Sequence, residues 1–95
     1  MNVLFRKEAI ADLDEIASYI RDRAAADRVI ARIHHTIYRT LSRFPRGGRL
    51  NPINNTREYA VPGLPYLVIY VPSPDAIDVI AVFHTSRDPG GKRQP

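Results

Sequence analysis

Two linked stretches decide the fold: Thr56-Arg57-Glu58-Tyr59-Ala60-Val61-Pro62-Gly63, and Ile80-Ala81-Val82-Phe83-His84-Thr85-Ser86-Arg87-Asp88-Pro89. Together with the residues between them they read as three short strands. Thr56 to Val61 is the first, with Arg57, Tyr59 and Val61 on one face. Pro62-Gly63-Leu64-Pro65 turns the chain, Tyr66 to Val71 is the second strand, and Pro72-Ser73-Pro74-Asp75 turns it again. Ala76 to His84 is apolar on both faces through Ile77, Val79, Ile80, Val82 and Phe83, so it is expected to be the central, most buried strand. Arg57 opens the first strand and His84 closes the last. Strand ends are rigid, so charged groups there can be aimed at a common target at little entropic cost.

Working toward the N-terminus, Arg46 to Asn55 reads as an exposed, mobile loop with Gly47-Gly48, Pro52 and Asn54-Asn55. Before it, Asp27 to Phe44 has a helical repeat. Ile30, Ile33, Ile37, Leu41 and Phe44 form its apolar stripe, with Arg28, Arg32, His35, Arg39 and Arg43 on the opposite side. Asp27 is placed to cap its start, although the Ala24-Ala25-Ala26 run before it can be helical too, and Pro45 stops it. Lys7 to Arg23 is an earlier amphipathic helix, with Ile10, Leu13, Ala17 and Ile20 on one face and Glu8, Asp12, Glu15 and Asp22 on the other. Val3-Leu4-Phe5 is a short strand. The expected architecture is α+β, in the order βααβββ. A helical hairpin packs on one face of a mostly antiparallel sheet, leaving the other face partly open for Arg, Tyr and His side chains.

The 95 residues suffice for one small domain, expected over 1–89, with 90–95 a flexible basic tail. Hydrophobic content of 44% argues against disorder. No apolar run approaches the ~18 residues of a bilayer-crossing helix. Met1-Asn2-Val3-Leu4-Phe5 is followed at once by charged residues, unlike a signal peptide. With no cysteine, a cytoplasmic location without disulfides or Cys-type zinc sites is expected. His34 and His35 point about 100° apart on a helix and cannot share one metal, so no metal or cofactor is expected. The net charge of +4 suggests an acidic partner, nucleic acid or an acidic polypeptide. Each charged helix stripe also reads simply as a solvated side, with some pairs bridging the two helices.

Several motifs recur in order. They are Ala11-Asp12-Leu13-Asp14-Glu15-Ile16 with Tyr19-Ile20, Phe44-Pro45-Arg46-Gly47-Gly48, Thr56-Arg57-Glu58, Pro65-Tyr66-Leu67-Val68-Ile69-Tyr70, and Val79-Ile80-Ala81-Val82-Phe83-His84. In this order and spacing the chain resembles the RelE/ParE superfamily of bacterial toxins, from Leu4 to about Pro89, and is closest to the ParE-like branch. The resemblance implies a toxin of a type II toxin–antitoxin operon. Its cognate antitoxin would neutralise it by wrapping a C-terminal segment around it as a hetero-oligomer. ParE-like members poison DNA gyrase, whereas RelE-like members cleave messenger RNA on the ribosome. The chain has no Tyr after Tyr70 of the kind often used by the nucleases. Three expectations stay open: a gyrase poison, a ribosome-dependent endoribonuclease, and an inactive antitoxin-binding regulator. The expected target-binding residues are Arg46, Arg49, Arg57, Tyr59, His84, Arg87, Lys92 and Arg93. In a nuclease, Arg57 and Arg87 would stabilise the phosphate and His84 would move the proton.

Overall fold

The computed structural model describes residues 1–87, without the side chain of Arg87. Strand β1 (Asn2–Phe5) leads into helix α1 (Lys7–Tyr19) and helix α2 (Arg23–His35), which continues into a π-helical turn at Thr36–Leu41. Four strands come next: β2 (Arg49–Asn51), β3 (Thr56–Ala60), β4 (Tyr66–Ser73) and β5 (Ala76–His84), and then a 3-10 turn at Thr85–Arg87. One mixed sheet has the order β1-β5-β4-β3-β2. β1 runs parallel to β5 and the other pairs are antiparallel.

Arg6 joins strand to helix with three groups. Its N–H extends the ladder to Val79 O at 3.0 Å, and its C=O accepts the first helical bond from Ile10 N at 3.0 Å. Its guanidinium bonds Asp78 at 3.0 Å. β1 ends there, so the β1-side edge of β5 is open beyond Val79. Asp12 of α1 takes over that edge, its carboxylate accepting from Val82 N at 2.9 Å. An acid on the expected outer face of α1 thus ties the helix to the sheet.

The helix boundaries correct the sequence reading. α1 stops at Tyr19, and Asp22, not Asp27, caps α2 by accepting from Ala24 N at 2.9 Å and Ala25 N at 3.4 Å. The Ala24-Ala25-Ala26 run is therefore helical. In the π turn the N–H of Ser42 bonds back to Ile37 O. Such a turn holds more residues than an α turn and offsets the side chains beyond it. Ile33, Ile37 and Leu41 keep one buried row, but Phe44 swings out and is 60% exposed instead of completing the stripe.

The loop expected over 46–55 contains β2, which pairs with β3 in the register Arg49↔Glu58, Leu50↔Arg57, Asn51↔Thr56. With β2 on one edge and β1 on the other, β4 holds the middle of the sheet and β5 lies one place off centre. The core joins Ala9, Ile16, Ile33, Ile37 and Leu41 of the helical layer to Val61, Tyr66, Val68, Tyr70, Ile77, Val79 and Val82 of the sheet side.

That core shows which way the polar side chains face. Arg57 pairs with Tyr70 and His84 with Tyr66, and both tyrosines belong to the buried cluster. Arg57, Tyr59 and His84 therefore lie on the helix-covered face, opposite to expectation. The opposite face carries Glu58, Ile69 and Ala81 in one row, all three buried, and Ala60, Leu67 and Phe83 in the next. It is flanked by the ion pairs Arg6–Asp78, at 3.0 Å, and Arg49–Glu58, at 3.9 Å.

Candidate functional site

The expected site residues fall into two groups. At the β2–β3 end, Arg57 is half-buried and its Nη1 donates to Gly48 O at 2.8 Å and Arg46 O at 3.2 Å. Beside it the buried hydroxyl of Tyr70 donates to Pro45 O at 2.8 Å and accepts from Gly48 N at 2.9 Å. Four bonds thus fix the chain from Pro45 to Gly48 as it leaves the helix. Arg46 and Arg49 extend from this anchored segment with exposed side chains, and Tyr59 is half-buried next to it. Arg57 thus holds two loop carbonyls through one terminal nitrogen, Nη1.

At the other end, His84 sits edge-on to Tyr66, with ring centroids 5.3 Å apart. Its Nδ1 accepts from Ser86 N at 3.1 Å and lies 2.7 Å from Ser86 Oγ. A backbone N–H can only donate, so in the neutral ring the proton resides on Nε2. As wired, His84 offers its surroundings a donor and not a base. A cleft of about 260 Å³ opens here, lined by Asp12, Glu15, Tyr19, Tyr66, His84 and Ser86 among others. Arg87 closes the 3-10 turn beyond His84. Lys92, Arg93 and the expected tail lie outside the described residues.

Arg57 and His84 are two strands and four residues apart in register, roughly 16 Å at standard sheet spacings. The structure does not bring them to one reacting group. His34 stacks on Phe5 with centroids 5.7 Å apart, and His35 is exposed. Among the described residues, no three His, Asp or Glu side chains gather as a metal-ligand set.

Sequence reasoning missed Tyr70 and Gly48. A Gly-Gly pair one residue after a helix-ending Pro is the signal of close backbone approach that was there to be read. Burial pushes the Tyr70 pKa above its ordinary value of 10.0, while the bond from Gly48 N–H and the charge of Arg57 pull the other way. With the folded pKa raised, the unfolded chain loses this proton first. Stability from Tyr70 is whole below about pH 10 and falls as pH rises beyond it. Melting curves from pH 8 to 11 should show that decline, and Tyr70→Phe, though less stable throughout, should show a shallower one.

The sequence profile described as "ParE toxin of type II toxin-antitoxin system, parDE" matches residues 3–89. The chain belongs to this toxin family. One similar curated protein is "Putative toxin Y4kP" of Sinorhizobium fredii (strain NBRC 101917 / NGR234). It is 40% identical over 78 residues, covering 80% of this chain and 79% of that protein. Among solved structures, a chain of the "Chromosomal ParDE TA system from P. aeruginosa" has the same fold. Its TM-score is 0.75 at 17% identity, covering 88% of this chain and 95% of that one. The ParE-like toxin with an α+β fold expected from the sequence is thus the family and the architecture found. No helix among the described residues is long and apolar enough to cross a membrane.

Proposed function

We propose that this ParE-family toxin arrests growth by binding DNA gyrase and stalling it with the DNA broken, and that a cognate antitoxin neutralises it by wrapping a C-terminal segment around it. The observation that most supports binding over bond cleavage is the wiring of His84. Its Nδ1 is occupied by Ser86, leaving a donor at Nε2, and Arg57 is roughly 16 Å away with its Nη1 on two backbone carbonyls. A nuclease would need a base and a phosphate clamp on the same group. In this reading Arg46, Arg49 and Tyr59, ordered by Arg57, form one part of the target-facing surface. His84 and Arg87 form the other, and Lys92 and Arg93, which follow in the sequence, are proposed to add to target binding.

Purified protein added to gyrase, ATP and supercoiled plasmid should produce linear DNA after detergent and protease treatment. Message cleavage in translating extracts with no linear DNA would refute the proposal. Arg57→Ala removes two charge-assisted bonds to a partly exposed loop, which should cost about 1–2 kcal/mol. The fold should survive, with linear DNA reduced about tenfold, the scale of losing one good interface contact. Undiminished gyrase poisoning by this variant would remove the Arg57-ordered loop from the surface.

A further inference from the structure

From Arg28 to Arg57 the chain carries seven arginines and no Asp or Glu. Arg28, Arg32, His35 and Arg39 succeed one another on the outer side of α2 and its π turn, Arg43 follows just beyond the turn, and all are exposed. Arg46 continues the line at the anchored loop. From Arg28 to Arg43 the ladder is about 22 Å long at 1.5 Å per residue. The sequence allows two plain explanations for such a stripe, a solvated side and pairing with the acids of α1. The structure leaves no ion pair from Arg28, Arg32, Arg39, Arg43 or Arg46 to a carboxylate among the described residues. One member is anchored, Arg32 Nη1 donating to Pro62 O at 3.1 Å, which seats the ladder against the β3–β4 turn.

We propose that this arginine ladder binds the phosphate backbone of double-stranded DNA, an activity of the toxin itself that is separate from its recognition of gyrase. Charge complementarity selects the partner. The duplex carries one charge per 1.7 Å of axis, so a 22 Å cationic rod meets phosphates along its whole length. Every fixed cation in the ladder is arginine, whose planar fork matches phosphate oxygens in pairs. An acidic protein partner is the weaker fit, because protein interfaces need an apolar centre. The outer residue between Arg28 and Arg32 is the small Ala31, the half-exposed Tyr38 packs toward Phe5 and His34, and the exposed Phe44 follows Arg43 at the ladder's end, not at its centre. Contacts of this kind fix position without reading sequence. The ladder would hold the toxin on DNA of any sequence, including DNA that gyrase has already engaged.

The test is fluorescence anisotropy of the full chain with a labelled 20-bp duplex, titrated in salt from about 50 to 200 mM, where phosphate contacts dominate the response. Four arginine contacts should give a log K against log salt slope of about −3.6, at −0.9 per phosphate. Arg39→Gln with Arg43→Gln should lessen the slope by about 1.8 and weaken low-salt binding at least about tenfold. Arg21→Gln with Arg23→Gln makes the same change in net charge outside the ladder and should leave binding nearly intact. The proposal is overturned by no binding at the lowest salt, by equal losses in the two double variants, or by poly-glutamate competing as well as unlabelled duplex. Gyrase poisoning is scored separately with the same proteins, so failure of one reading does not mask failure of the other.

Discussion

Gly48→Ala should be among the most damaging single substitutions in this domain, lowering stability by about 2–5 kcal/mol. An added Cβ would lie 2.7 Å from the Tyr70 hydroxyl, 2.9 Å from Glu58 O and 2.9 Å from Tyr70 Cε1. None of these is the far end of a mobile side chain: Tyr70 is fully buried and Glu58 O is strand backbone. The backbone of Gly48 is not left-handed, since among the described glycines only Gly63 has a positive φ, so the cost is steric. Relief by sliding the loop would break the Gly48 N–H bond to Tyr70, leaving buried polar groups unpaired. The melting temperature should fall by roughly 10–30 °C, at about 4–8 °C per kcal/mol for a domain of this size. Tyr70→Phe removes the atom that the new methyl meets first, so the double variant should cost at least about 1 kcal/mol less than the sum of the singles. Strict additivity in chemical denaturation would show that the strain goes elsewhere.

Ile37→Ala should cost about 2–5 kcal/mol. Ile37 is fully buried between Ile33 and Leu41, and its carbonyl accepts the π-turn bond from Ser42. The cavity would open where the helical layer meets the middle of the sheet, far from any surface that could close over it. Phe44→Ala, seven residues on in the same sequence stripe, should change stability by no more than about 0.5 kcal/mol, since its ring is 60% exposed. Urea unfolding of both variants checks the pair. Equal losses would contradict the offset that the π turn produces.

That contrast shows where legibility ended. The element order, the helical hairpin and the row Ile33, Ile37 and Leu41 were readable, because the periods 3.6 and 2 come directly from backbone geometry. The fate of Phe44 was not, because an i→i+5 turn leaves no composition signature. Nor could the facing of Arg57 and His84 be read. Alternation fixes only that Arg57, Tyr59 and Val61 share a side; the burial of the paired Tyr70 decides which side. For His84, counting by twos from the buried Val79 leads to Ala81 and Phe83. The register slips at Ile80, where Ile69 pairs with Ala81 but Tyr70 with Val79, and this turns Val82 and His84 inward instead. The Asp22 cap was legible, two residues ahead of an alanine run, yet helix periodicity assigns it to the preceding element. Asp12 reads as a surface acid in the sequence because its partner, Val82 N–H, exists only once β1 has ended and left that edge bare.

The parallel pairing of Asn2–Phe5 with Ala76–Val79 carries a consequence for how a cell makes this toxin. The first strand has no sheet partner until about 70 further residues have been polymerised, roughly 4–14 s at ordinary synthesis rates. Until β5 has been made, the helical hairpin is preceded by a strand with no sheet neighbour. In a family of toxins that come with antitoxins, a fold whose first strand must wait for its last leaves the chain unfinished for seconds, an interval in which a partner can meet it before the sheet is complete.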